Sequence, residues 1–197
     1  MGVKRALAIA GVGGQGQITL ATILGQALVR KGYNVRGGEV HGLSQRGGSV
    51  VVFVKYGRGI LSPIVTEGEA DVLVGLEIIE TLRRVPLLSP SGVLIVNDFF
   101  LPPPASKPVN REDLKKALKS LGLKTILLNA NELAVKAGSP ISSNIVMLGA
   151  LIGSKTVDLS LEEVSSVLSE RFKGKTLEVN MNALKMGYDY VSSRGSI

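Results

Sequence analysis

The residues most capable of chemistry are concentrated in one short stretch, Glu39-Val-His-Gly-Leu-Ser-Gln-Arg-Gly-Gly48. It contains the only histidine of the chain, His41, and a hydroxyl group three residues later at Ser44. A histidine can carry a proton, and a serine beside such a base can act as a nucleophile. The sequence identifies no third residue that would orient the histidine, and it contains no G-x-S-x-G elbow. A serine hydrolase is therefore disfavoured, and no catalytic residue is assigned.

The second half of this stretch is better suited to binding than to nucleophilic attack. Arg46 offers a forked set of donors for phosphate or carboxylate, and Gln45 offers an adjustable amide. Gly47 and Gly48 leave room for backbone N–H groups to approach an anion or a partner closely. An anion-binding or partner-facing loop is the favoured interpretation.

A second glycine-rich segment, Gly11-Val-Gly-Gly-Gln-Gly16, has G-x-G-x-x-G spacing between an apolar run and a helical pattern. Glycines there allow a tight turn, and free N–H groups at the start of the helix can receive an anion. The same glycines could simply let a strand and a helix pack closely, so the pattern alone leaves both interpretations open. The residues assigned to ligand binding are Gly11, Gly13, Gly14, Gln15, Gly16, Ser44, Gln45, Arg46, Gly47 and Gly48.

A dinucleotide-binding fold would also need an acidic residue about 20 residues after the glycine loop, to bind a ribose. Glu39 lies 23 residues after Gly16 and is a candidate. It follows two glycines and begins a long polar stretch, instead of ending a clean strand. A nicotinamide site is therefore possible but not favoured.

The composition excludes several classes of site. Without cysteine, the chain cannot form disulfides, thiolate nucleophiles, zinc–thiolate sites or cysteine-ligated iron–sulfur clusters. A single histidine also excludes a multi-histidine metal site, so we expect no metal site. Hydrophobic residues make up 45% and aromatic residues only 4%, which predicts a core of Val, Ile, Leu and Ala like that of buried parallel sheets.

The net charge of +7 is unevenly distributed along the chain. Residues 1–60 hold eight basic groups against one acidic group, whereas the remaining 137 residues hold fifteen of each. The excess therefore falls in the glycine-rich part of the sequence, where it could attract an anion or an acidic partner. A solvated basic face is the alternative interpretation.

Short apolar runs alternate with amphipathic segments, which predicts a three-layer α/β/α sandwich of Rossmann-like type with a mainly parallel sheet. We expect one domain over residues 1–197. Lys4 and Arg5 precede an apolar run as in a signal peptide, but the run is too short, so a buried first strand is expected. No apolar run could cross a bilayer, and we expect a cytoplasmic protein. The predicted strands are 4–10, 33–36, 49–56, 71–76, 92–96 and 125–128, and the predicted helices are 17–31, 77–88, 111–121, 130–137, 142–152, 161–172 and 176–192.

The two glycine-rich segments together, Gly11–Gly16 and Glu39–Val50, resemble the small subunit of indolepyruvate ferredoxin oxidoreductases. More broadly, they resemble the gamma domain of the 2-oxoacid:ferredoxin oxidoreductases. The family often has Met where Leu43 stands, which is a mild apolar replacement. The resemblance extends over most of the chain, through the segments Ala70–Glu77, Gly92–Asn97, Asn131–Gly138 and Asn144–Ala150.

This resemblance implies a reaction in which a 2-oxoacid such as indolepyruvate is oxidatively decarboxylated, captured by coenzyme A, and its electrons passed to ferredoxin. Thiamine diphosphate, Mg²⁺ and iron–sulfur clusters would be held by a larger partner subunit, and this chain would bind none of them tightly and be inactive alone. Glu39, His41 and Asn144 are expected to face a ligand or the partner. The two glycine loops would lie together at the carboxyl ends of adjacent strands. The isolated chain could pair with itself through the surface meant for its partner.

Two other functions remain open from the sequence. A stand-alone nicotinamide or flavin oxidoreductase would bind a dinucleotide by itself and use Glu39 as its ribose-binding acid. A nucleic-acid-binding module is suggested only by the net positive charge. Aromatic residues are few and no known nucleic-acid motif is present, which disfavours it. We expect neither nucleic acid nor membrane as a partner.

Overall fold

A computed structural model describes residues 4–42, 47–102 and 110–193. Within these ranges the chain forms six strands and seven α-helices, which alternate in part, while the second to fourth strands and the fourth to seventh helices follow one another directly. The strands are β1 (Arg5–Val12), β2 (Asn34–His41), β3 (Ser49–Gly57), β4 (Ala70–Gly75), β5 (Leu88–Asn97) and β6 (Lys124–Leu128). The helices are α1 (Gln17–Arg30), α2 (Ile78–Arg84), α3 (Arg111–Ser120), α4 (Ala130–Ala137), α5 (Ser143–Gly153), α6 (Leu161–Arg171) and α7 (Gly174–Ser192).

The strands form one mixed sheet in the order β2-β3-β1-β4-β5-β6. The pairings from β1 through β4 and β5 to β6 are parallel, as predicted. The pairings of β3 with β1 and with β2 are antiparallel, so the sheet is less parallel than the sequence suggested. The hairpin-like return from β2 into β3 explains this, because a short connection reverses the chain direction.

Strand β2 is twice as long as the predicted 33–36 segment. All eight of its residues pair with β3, from Asn34 opposite Gly57 to His41 opposite Val50. Glu39 and His41 are therefore strand residues, and the expectation that they begin a loop was wrong. Gly37 and Gly38 favour a turn by composition, but the ladder with the Val-rich β3 overrides that local preference.

Helices cover both faces of the sheet, as the predicted three-layer sandwich requires. Leu7 and Ile9 of β1 point to the face packed against α1 and α4–α7. Ala6, Ala8 and Ala10 point to the opposite face, which is covered by α2 and α3. Burying each large aliphatic side chain stabilises the fold by roughly 1.5–3 kcal/mol. A capping box formed by Ser160 and Glu163, whose spacing is visible in the sequence, begins α6.

Helices α5 and α7 approach so closely that only glycine fits at their contact. A Cβ atom added to Gly149 would lie 2.0 Å from the carbonyl oxygen of Leu184, and one added to Gly187 would lie 1.9 Å from that of Val146. This close contact fixes the position of α5 relative to α7. In the described part of the chain, no helix is long and apolar enough to span a membrane.

Candidate functional site

The Gly11–Gly16 loop connects β1 to α1, as the glycine spacing predicted. Gly14 and Gly16 adopt φ angles of +104° and +86°, a region that side chains rarely occupy. The Gln15 side chain anchors the loop to backbone, because its Oε1 accepts from Val12 N at 2.8 Å and its Nε2 donates to Leu76 O at 3.3 Å. Gln15, one of the residues assigned to ligand binding, holds the loop in shape with both ends of its amide and also lines the cavity described below.

The two glycine-rich segments meet directly. Gly13 N donates to Gly48 O at 2.8 Å, and Gly47 N donates to Gly13 O at 3.2 Å. They were expected at the carboxyl ends of adjacent strands. Gly47 and Gly48 do lie at the end of the sheet where β1 and β2 both finish, but β1 and β2 are not adjacent, because β3 lies between them and is antiparallel to both. Ser44, Gln45 and Arg46 lie outside the described residues.

Asn144 braces the glycine loop from the first turn of α5. Its Nδ2 donates to Gly16 O at 3.2 Å, and its Oδ1 accepts from Ile145 N at 2.9 Å. The side chain is buried, and a Cβ atom at Gly16 would lie 2.3 Å from Asn144 Nδ2. Asn144 therefore holds the start of α1 against the start of α5.

Glu39 and His41 are exposed neighbours on the edge strand β2. Glu39 Oε1 lies 3.8 Å from His41 Nε2, and His41 Nδ1 lies 2.8 Å from Gly42 O. Strand β3 separates β2 from β1, so Glu39 does not sit at the end of the strand next to the glycine loop. This position does not fit the ribose-binding acid of a dinucleotide fold.

A cavity of about 600 Å³ opens beside the glycine loop, where the first turns of α1, α5 and α7 meet. Among the described residues, none at the N-cap position of these three helices caps its helix with a side chain, although Asn144 Oδ1 accepts from Ile145 N in the first turn of α5. Uncapped helix starts present N–H groups and partial positive charge, which favours an anion. Side chains and backbone that define the cavity are those of Gly14, Gly16, Ser142, Lys175, Thr176 and Asn180.

Sequence reasoning missed the α7 side of this cavity. Lys175 supplies a cation there, and Ser142 Oγ donates to Asn180 Oδ1 at 2.9 Å within its wall. The sequence feature that could have predicted it is the basic segment Arg171-Phe-Lys-Gly-Lys175. It was missed because basic and acidic residues balance over residues 61–197 as a whole.

The family of pyruvate ferredoxin/flavodoxin oxidoreductases matches residues 6–190 of the chain. The chain belongs to this family. It is 38% identical over 187 residues to indolepyruvate oxidoreductase subunit IorB of Thermococcus kodakarensis, covering 92% of this chain and 93% of that protein. It is 36% identical over 192 residues to the subunit of the same name from Archaeoglobus fulgidus, covering 95% of each. The resemblance stated from the glycine motifs is confirmed.

Solved structures of pyruvate ferredoxin oxidoreductase relatives share the fold. The gamma subunit of a keto/oxoacid ferredoxin oxidoreductase from Geobacter sulfurreducens superimposes with a TM-score of 0.70 at 23% identity, over 96% of this chain and 99% of that one. A 2-oxoglutarate:ferredoxin oxidoreductase from Magnetococcus marinus gives 0.73 at 19% identity, over 97% of this chain and 31% of that one. The predicted α/β class is thus confirmed.

Much of the basic charge in the first sixty residues of this oxidoreductase chain is neutralised by folding. Arg5 pairs with Asp71 at 2.9 Å, and Lys31 pairs with Asp158 at 3.0 Å. Arg30 and Lys55 also pair with acidic side chains from the later part of the chain, Glu170 and Glu69. The expectation of a basic surface formed by this whole segment was therefore wrong for these four residues.

Two carboxylates at opposite ends of the strands, Asp158 and Glu77, have pKa values shifted in opposite directions. Hydrogen bonds from Tyr33 and Lys31 lower the pKa of Asp158, at the end far from the glycine loops. Burial raises the pKa of Glu77, which caps α2 by accepting from Glu80 N at 2.8 Å. Over the described residues, no group of three or more His, Cys, Asp or Glu side chains is arranged to hold a metal ion.

Proposed function

We propose that this chain is a non-autonomous subunit of a thiamine-diphosphate-dependent 2-oxoacid:ferredoxin oxidoreductase that acts on indolepyruvate or a related arylpyruvate. The 2-oxoacid loses CO₂, its acyl group is transferred to the thiol of coenzyme A, and two electrons pass singly to two ferredoxins. The substrate class is supported by the curated relatives, since several proteins named indolepyruvate oxidoreductase subunit IorB are more than 30% identical to this chain.

The redox cofactors are assigned to a larger partner subunit. Iron–sulfur clusters need thiolate ligands, and this sequence has no cysteine to supply them. Thiamine diphosphate provides the electron sink for decarboxylation, and its Mg²⁺ would be held with it on the partner. We assign to this chain the binding and orientation of the anionic co-substrate.

The observation that carries this assignment is the contact between the two glycine loops beside a cavity that Gly14 and Gly16 line together with the first turns of α1, α5 and α7. A volume of about 600 Å³ suits part of a small-molecule ligand. Phosphate oxygens of coenzyme A would accept hydrogen bonds from backbone N–H groups of Gly14–Gly16 and from Lys175 Nζ. Ser44, Gln45 and Arg46 would complete this site from the adjoining loop.

The alternative of a stand-alone dinucleotide enzyme is less well supported. It needs an acid beside the glycine loop, and Glu39 lies on an edge strand two positions away in the sheet. We therefore retain it only as an outcome of the experiment below.

The experiment is to purify the chain from its native cells under mild conditions and identify what accompanies it. A cysteine-rich, thiamine-diphosphate-containing subunit and arylpyruvate-dependent reduction of ferredoxin are expected. In that complex, Arg46→Ala should raise the KM for coenzyme A about tenfold, whereas Lys185→Ala, on the exposed face of α7, should not. A solitary chain carrying a dinucleotide would overturn the proposal.

A further inference from the structure

A polar cluster lies behind the glycine loops, on the α2 side of the sheet. It consists of Ser49, the first residue of β3, and Glu80 and Arg84 of α2. Ser49 Oγ donates to Glu80 Oε2, and Arg84 Nη2 donates to Ser49 Oγ at 3.4 Å. The Ser49 hydroxyl is therefore held from both sides by groups of one short helix.

The carboxylate of Glu80 is unusual because it is buried yet bonded to a residue at the end of a loop. Its side chain is 8% exposed, and its second oxygen lies 3.6 Å from Arg83 Nε. Burying a carboxylate is costly unless hydrogen bonds and opposite charge compensate it. Arg83 supplies opposite charge, and the hydroxyl of Ser49 supplies a hydrogen bond that Arg84 reinforces from the other side.

Ser49 connects the two α2 side chains of the cluster to the glycine loops, because it directly follows the Gly47–Gly48 segment, which contacts Gly13. Val12 and Ser49 are opposite each other in the β1–β3 ladder. The preceding residue, Gly48, accepts from Gly13 N at 2.8 Å. Fixing the Ser49 side chain therefore fixes the direction in which the Gly47–Gly48 backbone leaves the sheet.

One donor of the cluster is left unused. Arg84 Nε is buried and has no hydrogen-bond partner among the described residues. A buried unpaired donor is costly, which is tolerated where the surrounding geometry serves binding. Arg84 Nη2 nevertheless reaches the Ser49 hydroxyl, so this arginine contacts the end of the loop while its Nε stays unpaired.

We propose that Glu80 and Arg84, acting through Ser49, are positioning residues that hold the Gly47–Gly48 backbone in the shape that binds the anionic co-substrate. This rests on the proposed function, in which coenzyme A occupies the cavity lined by Gly14–Gly16, in the loop that Gly47–Gly48 contacts through Gly13. The hydroxyl of Ser49 is the link, so its removal should weaken binding of coenzyme A without affecting the 2-oxoacid.

The test uses the assembled enzyme and measures KM for coenzyme A, KM for the 2-oxoacid and kcat. Ser49→Ala and Glu80→Ala should each raise the KM for coenzyme A about tenfold and leave the other two constants within twofold. Ser49→Thr and Glu80→Gln keep a hydroxyl and an acceptor oxygen, so they should restore most of the affinity. Ser120→Ala and Glu132→Ala, on exposed helix positions, are the matched controls.

The pattern of KM values among the variants distinguishes a failure of this inference from a failure of the proposed function. If Lys175→Ala and Arg46→Ala raise the KM for coenzyme A but the Ser49 and Glu80 variants change only the melting temperature, the cluster is merely structural and the inference is overturned. If none of the four variants changes that KM, the proposed site itself is wrong. If Glu80→Ala fails to assemble, Ser49→Ala and its Thr rescue decide the question alone.

Discussion

Two openings of nearly equal volume flank helix α1, and their linings are different. The groove between α1 and β2 measures about 620 Å³, and the cavity at the start of α1 about 600 Å³. Apolar side chains line much of both, such as Val29 and Val35 in the groove and Ile145 and Val179 in the cavity. The cavity presents three helix starts and the cation of Lys175. The two openings therefore do not differ in volume. They differ in the groups that each can offer to an anion.

The same helix produces this difference because its side and its end expose different groups. Along its side, the backbone N–H and C=O groups bond to one another, and only side chains face outward. At its start, the first N–H groups have no partners within the helix. Gly16 lies at the cavity and Gly25 lies along the groove. Substituting each of them tests the comparison between the two openings.

The largest effect is expected from Gly16→Ala at the cavity. The new Cβ would lie 2.3 Å from Asn144 Nδ2, and alanine would be strained at a φ of +86°. We expect the free energy of unfolding to fall by about 1–3 kcal/mol, as measured by urea denaturation. In the assembled enzyme the KM for coenzyme A should rise at least tenfold. An unchanged KM would show that the loop does not contact the co-substrate.

The next largest effect is expected from Lys175→Ala, which removes the cation from the cavity. A charge-assisted hydrogen bond contributes about 1.5–3 kcal/mol, so the KM for coenzyme A should rise about tenfold or more. The effect should shrink as ionic strength rises, because salt screens the interaction. Lys185→Ala is the matched control, since Lys185 pairs with Asp189 on the exposed face of the same helix. Equal KM values for the two variants would contradict the assignment.

The sequence was sufficient to predict the order of strands and helices and the position of the glycine loops. Runs of β-branched residues, turn glycines and the capping box at Ser160 are local signals. The direction of β3 could not be predicted, because a strand buried on both faces has the same pattern in either direction. The length of β2 was missed since its Gly37–Gly38 pair has little intrinsic strand preference.

The candidate site was predicted less completely because it depends on contacts between distant parts of the chain. Asn144 and Gly16 are 128 positions apart, and no spacing rule brings them together. Arg5 and Lys31 looked like part of a basic surface, but their acidic partners come from the later part of the chain. Lys175 could be placed at the cavity only once the packing of α5 against α7 was known.

A smaller and opposite effect is expected from Gly25→Ala, in the groove. A Cβ atom there would have Val35 Cγ1 as its nearest neighbour, at an ordinary contact distance of 3.8 Å. Alanine is favoured over glycine within a helix, so the free energy of unfolding should rise by about 0.4–1 kcal/mol. The KM for coenzyme A should not change. Destabilisation in urea denaturation would show that the groove is tighter than its open lining indicates.

The smallest effect on the isolated chain is expected from Val29→Glu, which places a charge in the apolar groove. Val29 is 57% exposed, so the added carboxylate stays hydrated and the free energy of unfolding should change by no more than about 0.5 kcal/mol. If the groove takes no part in co-substrate binding, the KM for coenzyme A should stay within twofold. Size-exclusion chromatography of the variant with its partner subunit completes the measurement. Loss of association would assign the groove to the subunit interface. The groove would then dock the partner subunit, whereas the cavity would bind the ligand.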